Sequence, residues 1–204
     1  MPRIKIARKS TAIDMTAMCD VAFLLLTFFI LTATARKVDP LPVDTPSSTT
    51  LFKQPDTNLG IITVGHGKVF YGVAGQFVRE NLLKRIGERN GITFTPQETK
   101  EFSTMESFGV PVNQLKQFLS LDPKQRNLVK QPGIPTDSVS NELFYWIMDS
   151  RFATKELNDE DMRVSIKGDS EEEYPIFKRV IAILQNQKIN RFSLITKLKE
   201  IPKK

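Results

Sequence analysis

Asp20 is the only charged residue in the run Met15–Ala35, whose other members are apolar residues, threonines and one cysteine. At about 1.5 Å per helical residue, that run reaches across a hydrocarbon layer about 30 Å thick. An ionised carboxylate there costs roughly 2.5–3.5 kcal/mol even on insertion-based scales. A helix needs no Asp to cross a membrane, so the residue type points to chemistry. That chemistry is reversible protonation on an intramembrane path, with Asp20 as the candidate proton-binding residue.

On a helix of about 100° per residue, Thr16, Asp20, Thr27 and Thr34 fall within about 40° of one another. They make one polar seam on an otherwise lipid-compatible cylinder, and such a seam turns toward another helix or a wet cavity. The three threonines are therefore candidate proton-path or helix-seam residues. The simpler reading of each is a hydroxyl bonded to the carbonyl four residues back. Cys19, beside Asp20, reads as a small packing residue.

The rest of the chain narrows the function by what it lacks. Net charge is +6 over 204 residues, but residues 1–37 hold six Lys/Arg and two Asp, leaving 29 − 6 = 23 basic and 23 − 2 = 21 acidic groups beyond them. The excess is thus a membrane-flank effect, and nucleic-acid binding loses its main support. One cysteine allows no intrachain disulfide, and a lone His66 leaves no zinc constellation. Gly65-His66-Gly67 lacks the third glycine of a dinucleotide fingerprint, and no Walker-type Gly-Lys-Ser/Thr occurs. Nothing argues for an enzyme or for a cofactor; protons alone are the expected coupling ion.

Four basic residues precede the apolar run and two follow it, which favours a cytoplasmic N-terminus and a C-terminal domain across the membrane. A rival reading is a cleaved secretory signal, releasing a secreted enzyme after the small-x-small site Ala33-Thr34-Ala35. The run is longer than the usual signal core, holds Asp20 in its first third, and is followed at once by Arg36-Lys37. An uncleaved anchor accounts for these features better. The expected organisation is a cytoplasmic tail over 1–11, a membrane helix over 12–35, a Pro-rich linker over 36–59 and an outer domain over 60–204.

The linker carries prolines at 40, 42, 46 and 55 and reads as semi-extended chain that sets the reach of the outer domain. Ile61–Val64 and Val69–Gly72 flank Gly65-His66-Gly67-Lys68 and predict a β-hairpin with a solvated turn histidine. Helices are expected over Phe77–Asn90, stopped by Gly91, and over Val112–Ser120 and Asn141–Ala153, with Pro111, Pro123, Pro132 and Pro135 breaking the region. Trp146 reads as core, and its neighbours Phe144 and Tyr145 cannot all share its face. Met162, Val164 and Ile166 alternate as a strand; Ser170 and Glu173 have capping-box spacing; Tyr174, Phe177, Ile181 and Leu184 recur at helical spacing; Phe192–Lys197 is a second strand. This strand–helix–strand unit calls for parallel strands and a right-handed crossover. The fold class is α+β: one N-terminal membrane helix, a Pro-rich linker, and an α/β domain with a C-terminal β-α-β unit and a helical segment at about 77–155.

Ile13-Asp14-Met15-Thr16-Ala17-Met18-Cys19-Asp20-Val21 with the apolar run after it resembles the signature of the ExbD/TolR biopolymer-transport family. Val164–Asp169 through Tyr174 to Phe192–Lys197 is similar to that family's β-α-β ending. Where the family often has Asn and Pro, this chain has Asp14 and Ala17, so its helix is free to begin earlier, toward Thr11. Residues 77–155 resemble an insertion into the family pattern. The resemblance implies a single-pass inner-membrane subunit with a periplasmic domain, two copies of which sit in a ring of ExbB-like multispanning proteins. It also implies that Asp20 is the family's membrane aspartate, and that proton-driven motion passes to a TonB-like partner through an exposed strand edge. The alternative within the same family is a TolR-like protein that anchors the cell wall, with peptidoglycan as a ligand.

Overall fold

The computed structural model describes residues 15–33, 40–48, 55–126, 128–137, 140–170 and 174–198. It divides into two units, Met1–Val38 and Asp39–Lys204. The first contains helix α1, Met15–Thr32, which buries none of its residues. Its start can be followed no further back than Met15, so a beginning near Thr11 lies outside the described residues.

In the second unit, β2 (Leu59–Gly65) and β3 (Lys68–Val73) form the expected antiparallel hairpin. Its two-residue turn, His66-Gly67, has φ of 52° and 74°, the left-handed pair that follows the twist of the flanking strands. β2 also pairs in parallel with β4 (Arg163–Gly168), and β4 with β5 (Phe192–Ile195). The sheet order is β3-β2-β4-β5. Tyr71, Ile62 and Ile166 stand side by side across three strands, and all three are fully buried.

The central region is helical: α2 (Gln76–Asn90), α3 (Pro96–Thr104), α4 (Val112–Leu119), α5 (Pro123–Arg126) and α6 (Glu142–Asn158), of which α2, α4 and α6 correspond to the expected helices and the one-turn α5 starts at a proline expected to break the region. α2 ends on Gly91 at φ 67°, where a left-handed residue closes the last turn. α3 has no counterpart among the expected helices, yet its signal was local: Thr95 and Glu98 form a reciprocal capping box and Pro96 occupies the first turn. α6 runs past Ala153 to Asn158, because Thr154 returns its hydroxyl to the Ser150 carbonyl and Asp159 supplies the left-handed stop. Trp146 is fully buried against Phe102 and Phe108, and Tyr145 is the aromatic turned outward.

The last helix, α7 (Tyr174–Asn186), links the parallel strands β4 and β5. Its buried stripe is Val180, Ile183 and Leu184, with Phe177 and Ile181 partly covered; Tyr174, expected on that stripe, is exposed. Glu173 of the expected capping box lies outside the described residues. The second strand is also divided. β5 stops at Ile195, and β6 (Lys197–Leu198) pairs instead with β1 (Ser47–Ser48) from the Pro-rich stretch. That stretch is therefore not free chain throughout. Leu41 and Thr45 are buried, Val43 lies against Gly65, and the Ser170 N–H donates to the Asp44 carbonyl at 2.8 Å.

Arg89 on α2 grips Asp149 on α6 with two hydrogen bonds of 2.9 and 2.7 Å. Asp149 is 4% exposed while Arg89 is 37% exposed and stacks over Tyr145. The two partners are thus unequal. Arg89→Leu strands a buried carboxylate and should cost about 3–5 kcal/mol, whereas Asp149→Leu leaves a solvated guanidinium and should cost less. Denaturation of the full chain in micelles, followed by the fluorescence of Trp146, checks the order; equal losses would refute it.

Candidate functional site

α1 is a helix of eighteen residues, MTAMCDVAFLLLTFFILT, about 27 Å long, in which Asp20 is the only charged side chain. Long branched and aromatic residues surround it on the C-terminal side, and Phe28 and Phe29 meet edge to face at 5.9 Å. Among the described residues, the Asp20 carboxyl has no hydrogen-bond or ion-pair partner. Thr16 lies one turn before it and Thr27 two turns after it, on the same side. Thr34 lies outside the described residues.

The Thr27 hydroxyl donates to the Leu24 carbonyl at 2.9 Å, three residues back rather than four. Its proton is committed to the backbone while its oxygen keeps lone pairs free to accept. Thr32, about 120° round the helix from Asp20, makes the same kind of bond to the Phe28 carbonyl at 2.7 Å. A backbone-directed hydroxyl is thus not peculiar to the seam. Of the seam residues only Asp20 carries a carboxyl, and chemically it is the one able to bind and release a proton.

The second unit, Asp39–Lys204, offers another kind of feature, the sheet edge. The free side of β3 is covered: Tyr71 and Phe108 exchange backbone hydrogen bonds of 2.8 and 2.9 Å, and the Ile134 N–H donates to the Val69 carbonyl. No periodicity marked either covering segment, because both are irregular chain. Gly109 lets one of them approach, since a Cβ there would sit 2.6 Å from the Phe70 ring. The outer side of β5 has no strand beside it among the described residues. Leu194 on that strand is 60% exposed.

Other titratable groups are absorbed by the fold. Burial pushes the Tyr71 phenol far above its ordinary range, keeping it protonated beside Ser150 Oγ at 2.5 Å. Burial raises Glu142, whose carboxylate accepts the Val112 N–H at the start of α4. His66 is exposed in its turn. Among the described residues no three His, Cys, Asp or Glu side chains gather into a group that could hold a metal.

A family model described as biopolymer transport protein ExbD/TolR matches residues 7–199. The chain belongs to that family. No curated protein and no solved structure matches it.

Cys19 is the single cysteine and neighbours Asp20 on α1. If α1 lies in a bilayer, a membrane-impermeant maleimide should leave Cys19 unlabelled in intact vesicles and label it after detergent denaturation. Rapid labelling in intact, sealed vesicles would place this turn of α1 in water.

Proposed function

We propose that this member of the ExbD/TolR family is a proton-motive-force-driven subunit of an inner-membrane ExbB–ExbD-type motor that powers TonB-dependent transport across the outer membrane. Membership of the family supports an energy-transducing role in biopolymer transport, in a complex with membrane partners. The observation that carries the finer reading is Asp20, a lone carboxyl within an apolar helix long enough to cross a bilayer. The N-terminus is cytoplasmic, α1 crosses once, and the second unit is periplasmic; the four Lys/Arg before the run against two after it support that orientation.

Two copies of α1 stand within a ring of ExbB-like multispanning subunits, their Asp20 seams facing the ring. Asp20 takes a proton from the periplasmic side and, once neutral, crosses a less polar surface at little cost. Loss of the proton to the cytoplasm restores the charge and locks the next position. One charge falling through 100 mV releases about 2.3 kcal/mol, so a few protons supply useful work. Thr16 and Thr27 line the seam and accept hydrogen bonds along it. The outer unit passes the motion to a TonB-like protein. The outer edge of β5, which has no strand beside it among the described residues, supports strand addition as the mode of contact, since the β3 edge is already occupied.

Asp20→Asn keeps the size and loses the proton. With membrane level and partner assembly matched to wild type, it should abolish growth on a nutrient that needs active outer-membrane uptake. Unchanged uptake would refute the proton-motor reading in this pathway. In that case pull-down of the full chain on peptidoglycan separates the TolR-like wall anchor, which binds, from a subunit with neither role. Intact mass of the mature protein, expected to retain residues 1–35, excludes cleavage after Ala35.

A further inference from the structure

A cavity of about 340 Å³ opens on the outer unit where α6, the approach to β4 and the end of α7 meet. It falls at the small end of the range of about 300–1,000 Å³ for ligand sites. Phe144, Met148 and Phe152 line it from successive turns of α6, and Met162 closes it from the strand side. Phe152 is 56% exposed, an expensive aromatic to leave in water, while Met162 is buried behind it. Aromatic rings and thioethers form an adaptable apolar wall.

The charges around this wall are arranged unusually. Arg151 is held in place by a hydrogen bond of 3.2 Å from Nη1 to the Gln187 carbonyl. Among the described residues it meets no carboxylate, although Asp161 lines the same cavity. Asp161 in turn has no hydrogen-bond or ion-pair partner among them. Lys155, also at the rim, is engaged with Asp159 through its carbonyl at 3.0 Å and its carboxylate at 3.3 Å. One cation and one anion thus face a shared apolar pocket without neutralising each other.

We infer that this pocket binds a small zwitterion, an apolar α-amino acid or dipeptide, with its carboxylate on Arg151, its ammonium on Asp161 and its side chain against Phe144, Met148 and Phe152. A fatty acid fits less well, because Asp161 would face its carboxylate. The site is independent of Asp20, and its failure leaves the proton-driven reading untouched.

Titration calorimetry on the full chain in micelles tests the assignment with five probes: phenylalanine, leucyl-phenylalanine, N-acetylphenylalanine, phenylalaninamide and decanoate. Either of the first two should bind saturably, and the tighter one sets the ligand's length. N-acetylphenylalanine and phenylalaninamide should each bind about tenfold or more weakly than phenylalanine or the dipeptide, the loss expected for one charge-assisted contact. Arg151→Gln should erase the preference for a free carboxylate, and Asp161→Asn the preference for a free amine. Lack of saturable binding by both zwitterions would overturn the assignment, as would equal binding of the blocked compounds to wild type. Decanoate binding more tightly than either zwitterion would replace it with a fatty-acid site. If a variant fails to fold, the wild-type series alone decides.

Discussion

The second unit depends on the pairing of β2. Six residue pairs bind it on each side, antiparallel with β3 and parallel with β4, while β4 carries the sheet on to β5 with four. Its amides and carbonyls are thereby satisfied without water, which lets Ile62 and Val64 be wholly buried. The hairpin partner is close in sequence, whereas β4 comes about a hundred residues later, so the parallel pairing closes a long loop. The helices α2 to α6 fill that loop. Their packing, with Trp146 stacked on Phe102 and edge to face with Phe108, supplies burial that offsets the loss of chain entropy.

The same unit shows how polar groups are brought inside. Arg79 donates to the Val73 and Ser103 carbonyls at 2.7 Å each, joining the end of β3 to the end of α3. Burial lowers its basicity, and the nearby charge of Glu106 opposes that effect. Arg126, 7% exposed, donates to the carbonyls of Leu119 and Leu121 and pairs with Glu101 at 3.2 Å. Guanidinium forks thus take up helix-end and turn carbonyls that no backbone N–H reaches. α1 differs: among the described residues its lone carboxyl, Asp20, has no hydrogen-bond or ion-pair partner.

What could be read from the residues was whatever depends on neighbours in sequence. The hairpin followed from Gly65-His66-Gly67 between apolar runs, the end of α2 from Gly91, and the β-α-β close from alternation at Met162–Ile166. Asp20 stood out because one charge in an apolar run is improbable on any structural account. α3 is equally local, with Thr95, Pro96 and Glu98 in capping order, but its apolar stripe is too thin to show as a period. The covering of β3 by Phe108 and Ile134 was out of reach, since irregular segments leave no period. So was the division of the last strand, where Lys197 and Leu198 choose Ser47 and Ser48 over the main sheet. Tyr174 obeys helical spacing and still faces water, because spacing identifies a face but not how far a neighbour extends over it.

The pairing of β1 with β6 gives the outer unit a mechanical sequence. Tension arriving from its N-terminal side loads residues 40–48 before it reaches Leu59. Among the described residues, two residue pairs and the Ser170–Asp44 bond hold that segment by its backbone, against six pairs on each side of β2. By backbone pairing it is the weaker tie, and its nine residues reach at most about 30 Å when fully extended, part of which they already span in the fold. The Pro-rich segment is thus a strap laid against its own unit rather than a free tether.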